Sequence, residues 1–242
     1  MAVLDWRDPL AVAATGVIRA GDVAALRALL GTHAGLAASS IRQDGDAAGT
    51  RTLLHIATDW PGHFPAAPEV IGVLVAAGAD PDARFVGGHS ETPLHWAASS
   101  DDVAALDALV AAGADIEARG AVIGGGTPLA DACGFGQWRA ARRLLEHGAR
   151  TTLRDEATLG LLGRLRARVA AGPLDADDLD SAFWGACHGG QLASATYLLE
   201  QGAALDRVGY DEMTPLDIAV SAGASDLVAW LRERGARSRG EL

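Results

Sequence analysis

The chain has 242 residues, and its 49% hydrophobic content comes largely from Ala, Leu and Val, with aromatics at only 5%. Its 31 acidic against 20 basic residues give a formal charge of −11, which would repel nucleic acid and anionic membrane and so excludes generic DNA binding. No apolar run reaches the length of about 18 residues that a membrane span needs, and two cysteines, Cys133 and Cys187, are too few for a disulfide framework or a cysteine-rich zinc site.

All the basic residues are arginines and the chain has neither Lys nor Asn, a bias expected of a GC-rich bacterial genome. The opening "MAVLDWRDPLAV" has no basic stretch ahead of an apolar one, so it does not read as a signal peptide, and a cytoplasmic location is expected.

Seven helix pairs are predicted along the chain. The first, residues 8–33, contains "DPLAVAATGVIRAGDVAALRALL" and reads as an N-terminal cap. The second, 50–78, opens "RTLLHIA" and carries an insertion, Asp59 to Glu69, whose three prolines break continuity between its helices. The third, 91–113, reads "ETPLHWAASSDDVAALDALVAAGAD", and the fourth, 126–148, opens "GTPLADACGFG". The fifth, 152–172, is shortened and lacks Thr-Pro-Leu, while the sixth, 176–202, has Ser181, Ala182 and Phe183 in place of those residues. The seventh, 213–235, opens "MTPLDIAVSAG" and forms the C-terminal cap with the Arg-rich tail.

Local chemistry explains the phrasing. Thr before Pro-Leu can cap a helix whose first position takes Pro. Gly-Ala pairs at Gly78, Gly113, Gly148, Gly202 and Gly235 sit where a left-handed stop is expected. Twelve residues before four of them, Asp101, Gly136, Gly190 and Gly223 mark the expected starts of second helices, and the same interval joins Gly160 to Gly172. Apolar residues between these marks, such as Val103, Leu106, Leu109 and Val110, follow a helical period.

A unit of this length with Thr-Pro-Leu-His-x-Ala resembles the ankyrin repeat, and the resemblance spans nearly the whole chain. It implies an all-α fold, an ankyrin-repeat solenoid of stacked helix-turn-helix units with hairpin-like finger loops. It also implies one domain over 1–242, with a cap at 1–49, repeats over 50–212 that include the short one near 152–172, and a cap repeat at 213–242. The implied role is non-catalytic binding of a protein through a concave groove, as an adaptor or inhibitor. No cofactor or metal is expected. The partner is an unknown protein with a basic surface, rather than nucleic acid or membrane, and the chain is expected to be a monomer.

Residues with catalytic potential have bland readings in this register. His55 and His95 share one slot, where the resemblance implies that the imidazole ties together backbone and Thr hydroxyl groups. The glycines of "VIGGGTP" lack the Lys-Ser/Thr of a P-loop and read as a finger tip. Asp131 stands in a usually apolar slot and is expected either to pair with an arginine such as Arg119 or to face the groove. The rival reading is an enzyme, or a sensor of small molecules or metal, using Asp180, Cys187 and His188 of the irregular fifth and sixth pairs.

Carried over from the family position by position, the contact slots are Arg51, Asp59 and Trp60 in the second pair, and Phe85, His89, Glu91, Ser99 and Ser100 around the third. Ile123 and Phe135 follow in the fourth, Asp177, Asp180 and His188 in the sixth, and Tyr210, Asp211 and Met213 in the seventh. Trp60, Phe85, Phe135 and Tyr210 are the expected aromatic anchors, because binding energy concentrates in a few such side chains, and the alternative for Trp60 and Phe85 is packing against the Pro-rich insertion and neighbouring fingers.

Overall fold

A computed structural model describes residues 2–44 and 48–242. Its α-helices fall into the seven expected pairs: α1 (Pro9–Ala20) with α2 (Val23–Thr32), α3 (Leu53–Ala57) with α4 (Ala67–Ala76), and α5 (Pro93–Ser99) with α6 (Val103–Ala111). These are followed by α7 (Pro128–Gly134) with α8 (Trp138–Glu146), α9 (Leu153–Thr158) with α10 (Leu162–Ala170), α11 (Ala176–His188) with α12 (Leu192–Glu200), and α13 (Pro215–Ser221) with α14 (Ser225–Glu233). The chain divides into two compact units, residues 1–150 and 151–242.

Thr52, Thr92, Thr127 and Thr214 cap the helices that follow them, and Pro occupies the first turn of α5, α7 and α13. The fifth pair keeps this device without Thr-Pro-Leu. Thr152 Oγ1 accepts from Asp155 N at 3.2 Å, and Asp155 Oδ2 accepts from Thr152 N at 2.8 Å, so a reciprocal cap starts α9.

The residues expected to start the second helices lie two positions ahead of them instead. Gly21, Asp101, Gly136, Gly160, Gly190 and Gly223 all have φ between 54° and 70°, the left-handed turn that reverses the chain between paired helices. Gly suits that conformation because it has no Cβ to clash. The closing glycines Gly78, Gly113, Gly148, Gly202 and Gly235 are left-handed as expected, whereas Gly172 lacks a positive φ.

In the first unit the leading helices pack in succession, α1 on α3, α3 on α5 and α5 on α7, and the second helices do likewise, α2 on α4, α4 on α6 and α6 on α8. Leu53, Leu94, Leu129, Leu106 and Leu144 are fully buried between them, with Ala97, Ala132 and Ala140 allowing close approach. In the second unit α9 packs on α11, α11 on α13 and α10 on α12, around Phe183, Leu165 and Leu198.

The finger loops are short. One is a true hairpin, β2 (Ser40–Gln43) antiparallel to β3 (Gly49–Thr52). The others are closed by fewer bonds, such as Phe85 N to Glu91 O at 2.8 Å and Gly209 N to Met213 O at 2.8 Å. A further strand, β1 (Val3–Asp5), lies parallel to β2 and was not foreseen from the sequence, because three residues carry too little periodicity to register.

Candidate functional site

In the second and third pairs the residue three positions after the Thr cap ties one repeat to the next. Thr52 N donates to His55 Nδ1 at 3.3 Å, which leaves the proton on Nε2, and Nε2 donates to the Glu91 carbonyl at 3.1 Å. His95 repeats the arrangement, with Thr92 N to Nδ1 at 3.1 Å and Nε2 to the Gly126 carbonyl at 3.3 Å. Burial, above all, pulls His55 down to about 3 and His95 down to about 4, so both are neutral at physiological pH. The expected structural role for these imidazoles therefore holds.

In the sixth pair Trp184 takes this slot. Its Nε1 donates to the Met213 carbonyl at 3.0 Å, the carbonyl just ahead of the next Thr cap, as the histidines do. Gly209 lies against its ring, where an added Cβ would stand 2.5 Å from Nε1. A tryptophan can replace histidine here because the bridge needs only one ring N–H donor.

In the first unit a cleft of about 460 Å³ opens beside α5. Its walls include Asp59 and Trp60 from the insertion, His89 and Glu91 from a finger, Trp96 and Ser99 from α5, and Val122, Phe135 and Gln137 from the next repeat. Seven of the expected contact residues, Asp59, Trp60, His89, Glu91, Ser99, Ser100 and Phe135, thus come together. Trp60 is 76% exposed and Phe135 46%.

The insertion that carries Trp60 is fastened on several sides. Asp59 Oδ2 accepts from Arg19 at 2.7 Å and from Arg51 at 3.2 Å. His63 N donates to Asp102 Oδ2 at 2.6 Å, and its Nε2 bonds the Ser100 carbonyl at 3.2 Å. Arg51 is half-buried behind the cleft, its guanidinium 5.5 Å from the Trp96 ring centroid.

Glu91 is buried, with a side chain only 7% exposed. Its Oε2 accepts from Trp96 Nε1 at 2.8 Å and its Oε1 from Val122 N at 2.9 Å, and His89 Nδ1 lies 3.0 Å from Oε2. Asp131 is fully buried beside it. Burial, reinforced by the Glu91 carboxylate, pushes the Asp131 carboxyl up to about 9, which keeps it protonated at neutral pH. Asp131 neither pairs with Arg119 nor opens to the groove, and the close approach of two acids left no mark in the sequence because they are forty positions apart.

Phe85 takes the packed alternative rather than the place of an exposed anchor. It is only 6% exposed, its ring stacks on His89 with centroids 4.3 Å apart, and it lies over Gly49 and Gly87, where any side chain would collide with it. Ile123 does not line the cleft; it sits against Gly134, and Val122 takes the place beside Glu91.

The second unit has a smaller hollow of about 230 Å³. Asp180 and Tyr210 line it with Arg154, Ser181, Trp184 and Arg207. Arg207 pairs with Asp177 at 2.6 Å and with Asp180 at 3.4 Å. Asp211 is exposed with φ 53°, and Met213 contributes its carbonyl to the Trp184 bridge. His188 stacks on Trp184 at 5.5 Å, and burial lowers its pKa. Cys187 is fully buried in the core, which pushes its thiol up to about 12, so it is not a nucleophile at neutral pH.

Comparison with known proteins bears on this architecture. Residues 66–155 match the family model for ankyrin repeats, in three copies. That stretch is similar to ankyrin repeats. A solved structure, the human ASB11 ankyrin repeat domain, is similar over 94% of this chain and 98% of its own, with a TM-score of 0.53 at 20% identity, a likeness of fold. No curated protein sequence matches the chain. Ankyrin repeats are generally protein-interaction modules. Among the described residues, no helix is long and apolar enough to cross a membrane.

Proposed function

We propose that the chain is a non-catalytic interaction module that binds a partner protein through the finger and first-helix face of its first unit, as a cytoplasmic adaptor or inhibitor. The observation that carries this reading is the cleft beside α5, flanked by exposed Trp60 and Phe135. Large aromatics left in solvent are not needed to fill a core, and such groups dominate interface energetics. The excess of acids favours a partner with a basic surface, since complementary potentials speed encounter. Tyr210, Asp177 and Asp180 of the second unit belong to the same proposal as further contacts.

The test is capture of a partner from the source cell by the tagged chain, with the partner identified and the pair then reconstituted from purified proteins. Binding should fall at least about tenfold for Trp60→Ala and for Phe135→Ala, with helical circular dichroism retained. A reconstituted partner that binds both variants as tightly as the unaltered chain would rule out this face.

A further inference from the structure

The acid at the bottom of the first-unit cleft identifies what the cleft is built to receive. The charged side chains that line it are Asp59, Glu91 and His89. Asp59 is already shared by Arg19 and Arg51. Glu91 is different: its carboxylate is held by two neutral donors, the Trp96 indole and the Val122 amide, and among the described residues its only ion-pair neighbour is His89, which is charged only when protonated.

The fold does not demand acids here. Asp131 stands directly after the third helical position of α7, a slot that Ile56 fills in α3 and Ile218 in α13. Where the fifth pair also places an acid in that slot, Arg168 covers Glu156 with two bonds of 2.7 and 2.9 Å. No arginine lies within ion-pair distance of Asp131 among the described residues. A protein that covers the cleft removes the remaining water from Glu91. An apolar covering group would leave that charge to its neutral donors alone, whereas a cation would offset it.

We propose that the cleft takes a basic side chain of the partner, arginine or lysine, with its charged head on Glu91 and its apolar stem against Trp60 and Phe135. This rests on the interaction reading above and adds the chemistry of the anchor. The indole and phenyl faces suit the stem and also attract the cation. Asp131, kept neutral by burial behind Glu91, adds no second charge to repel it in the free protein.

The experiment is a titration of the full chain, ¹⁵N-labelled at its indoles, with blocked pentapeptides Ser-Gly-X-Gly-Ser. X is arginine, lysine, or the neutral counterparts citrulline and norleucine. The Trp60 and Trp96 indole signals should shift saturably with the arginine or lysine peptide, and binding should be at least about tenfold weaker for the matching neutral peptide. Glu91→Gln should abolish that preference. Trp60→Ala, at an exposed site, should weaken cation binding even if Glu91→Gln does not fold. Equal binding of charged and neutral peptides, the absence of any saturable shift, or unchanged cation binding in Trp60→Ala overturns the proposal. If a reconstituted protein partner still depends on Trp60 in those circumstances, the interaction reading stands and only the basic anchor is lost.

Discussion

Trp60 and Phe85 are both large aromatics near one cleft, and their surroundings make opposite demands on them. Phe85 fills a slot between Gly49, Gly87 and His89, so Phe85→Ala should leave a void and destabilise the first unit by roughly 3–5 kcal/mol in urea denaturation. Trp60 projects into solvent, and Trp60→Ala should change stability by no more than about 0.5 kcal/mol. A variant pair with the reverse ranking would mean that the roles of the two rings are exchanged.

Among the helices, the bridge from one repeat to the next is the element whose chemistry is reused with different residues. Trp184→Phe removes the pyrrole half of a buried indole and with it the Nε1 bond to the Met213 carbonyl, and the lost bond and the void together should lower the stability of the second unit by about 1–3 kcal/mol. Gly209→Ala drives a methyl group into that ring and should lower it by roughly 1–3 kcal/mol. Both are read from thermal or urea unfolding. The helix pairs themselves were legible in advance, because Thr caps, Gly stops and a period near 3.6 are local signals. Of the cleft, the residues in aligned slots were legible for the same reason. The Glu91–Asp131 pair, the exchange of Val122 for Ile123 and the burial of Phe85 were not, because each depends on which neighbouring finger leans over it. Trp184 in the histidine slot could have been found by counting back from Gly202, since Gly190 fixes the register even without Thr-Pro-Leu.

For the protein as a whole, stability should depend on pH in a way that its buried titrating groups set. His55 and His95 have folded pKa values, about 3 and about 4, below the ordinary histidine value, so their contribution is complete above about pH 6.5 and is lost as pH falls toward those values. Asp131, raised to about 9, acts in the other direction: its contribution is complete below about pH 4 and is lost as pH rises through 9. Each group changes the unfolding free energy by up to about 1.4 kcal/mol per pH unit within its window. The two histidines outweigh the single acid below about pH 6.5, and the acid acts alone above it, so stability should peak near neutrality. Chemical denaturation at intervals from pH 4 to 9 checks this, and Asp131→Asn should flatten the alkaline limb and steepen the acid limb, because the acid opposes the histidines there. The insertion has a bearing on affinity as well. Arg19, Arg51, Asp102 and the Ser100 carbonyl hold Asp59 and His63 on either side of Trp60 before anything arrives. On the proposed binding face, a partner would therefore meet a surface already in its receiving shape, and little motional freedom would be surrendered on contact. Arg19→Ala, which severs one tether behind Asp59 and lies outside the cleft lining, should then make complexes at the proposed face shorter-lived without removing a touching atom.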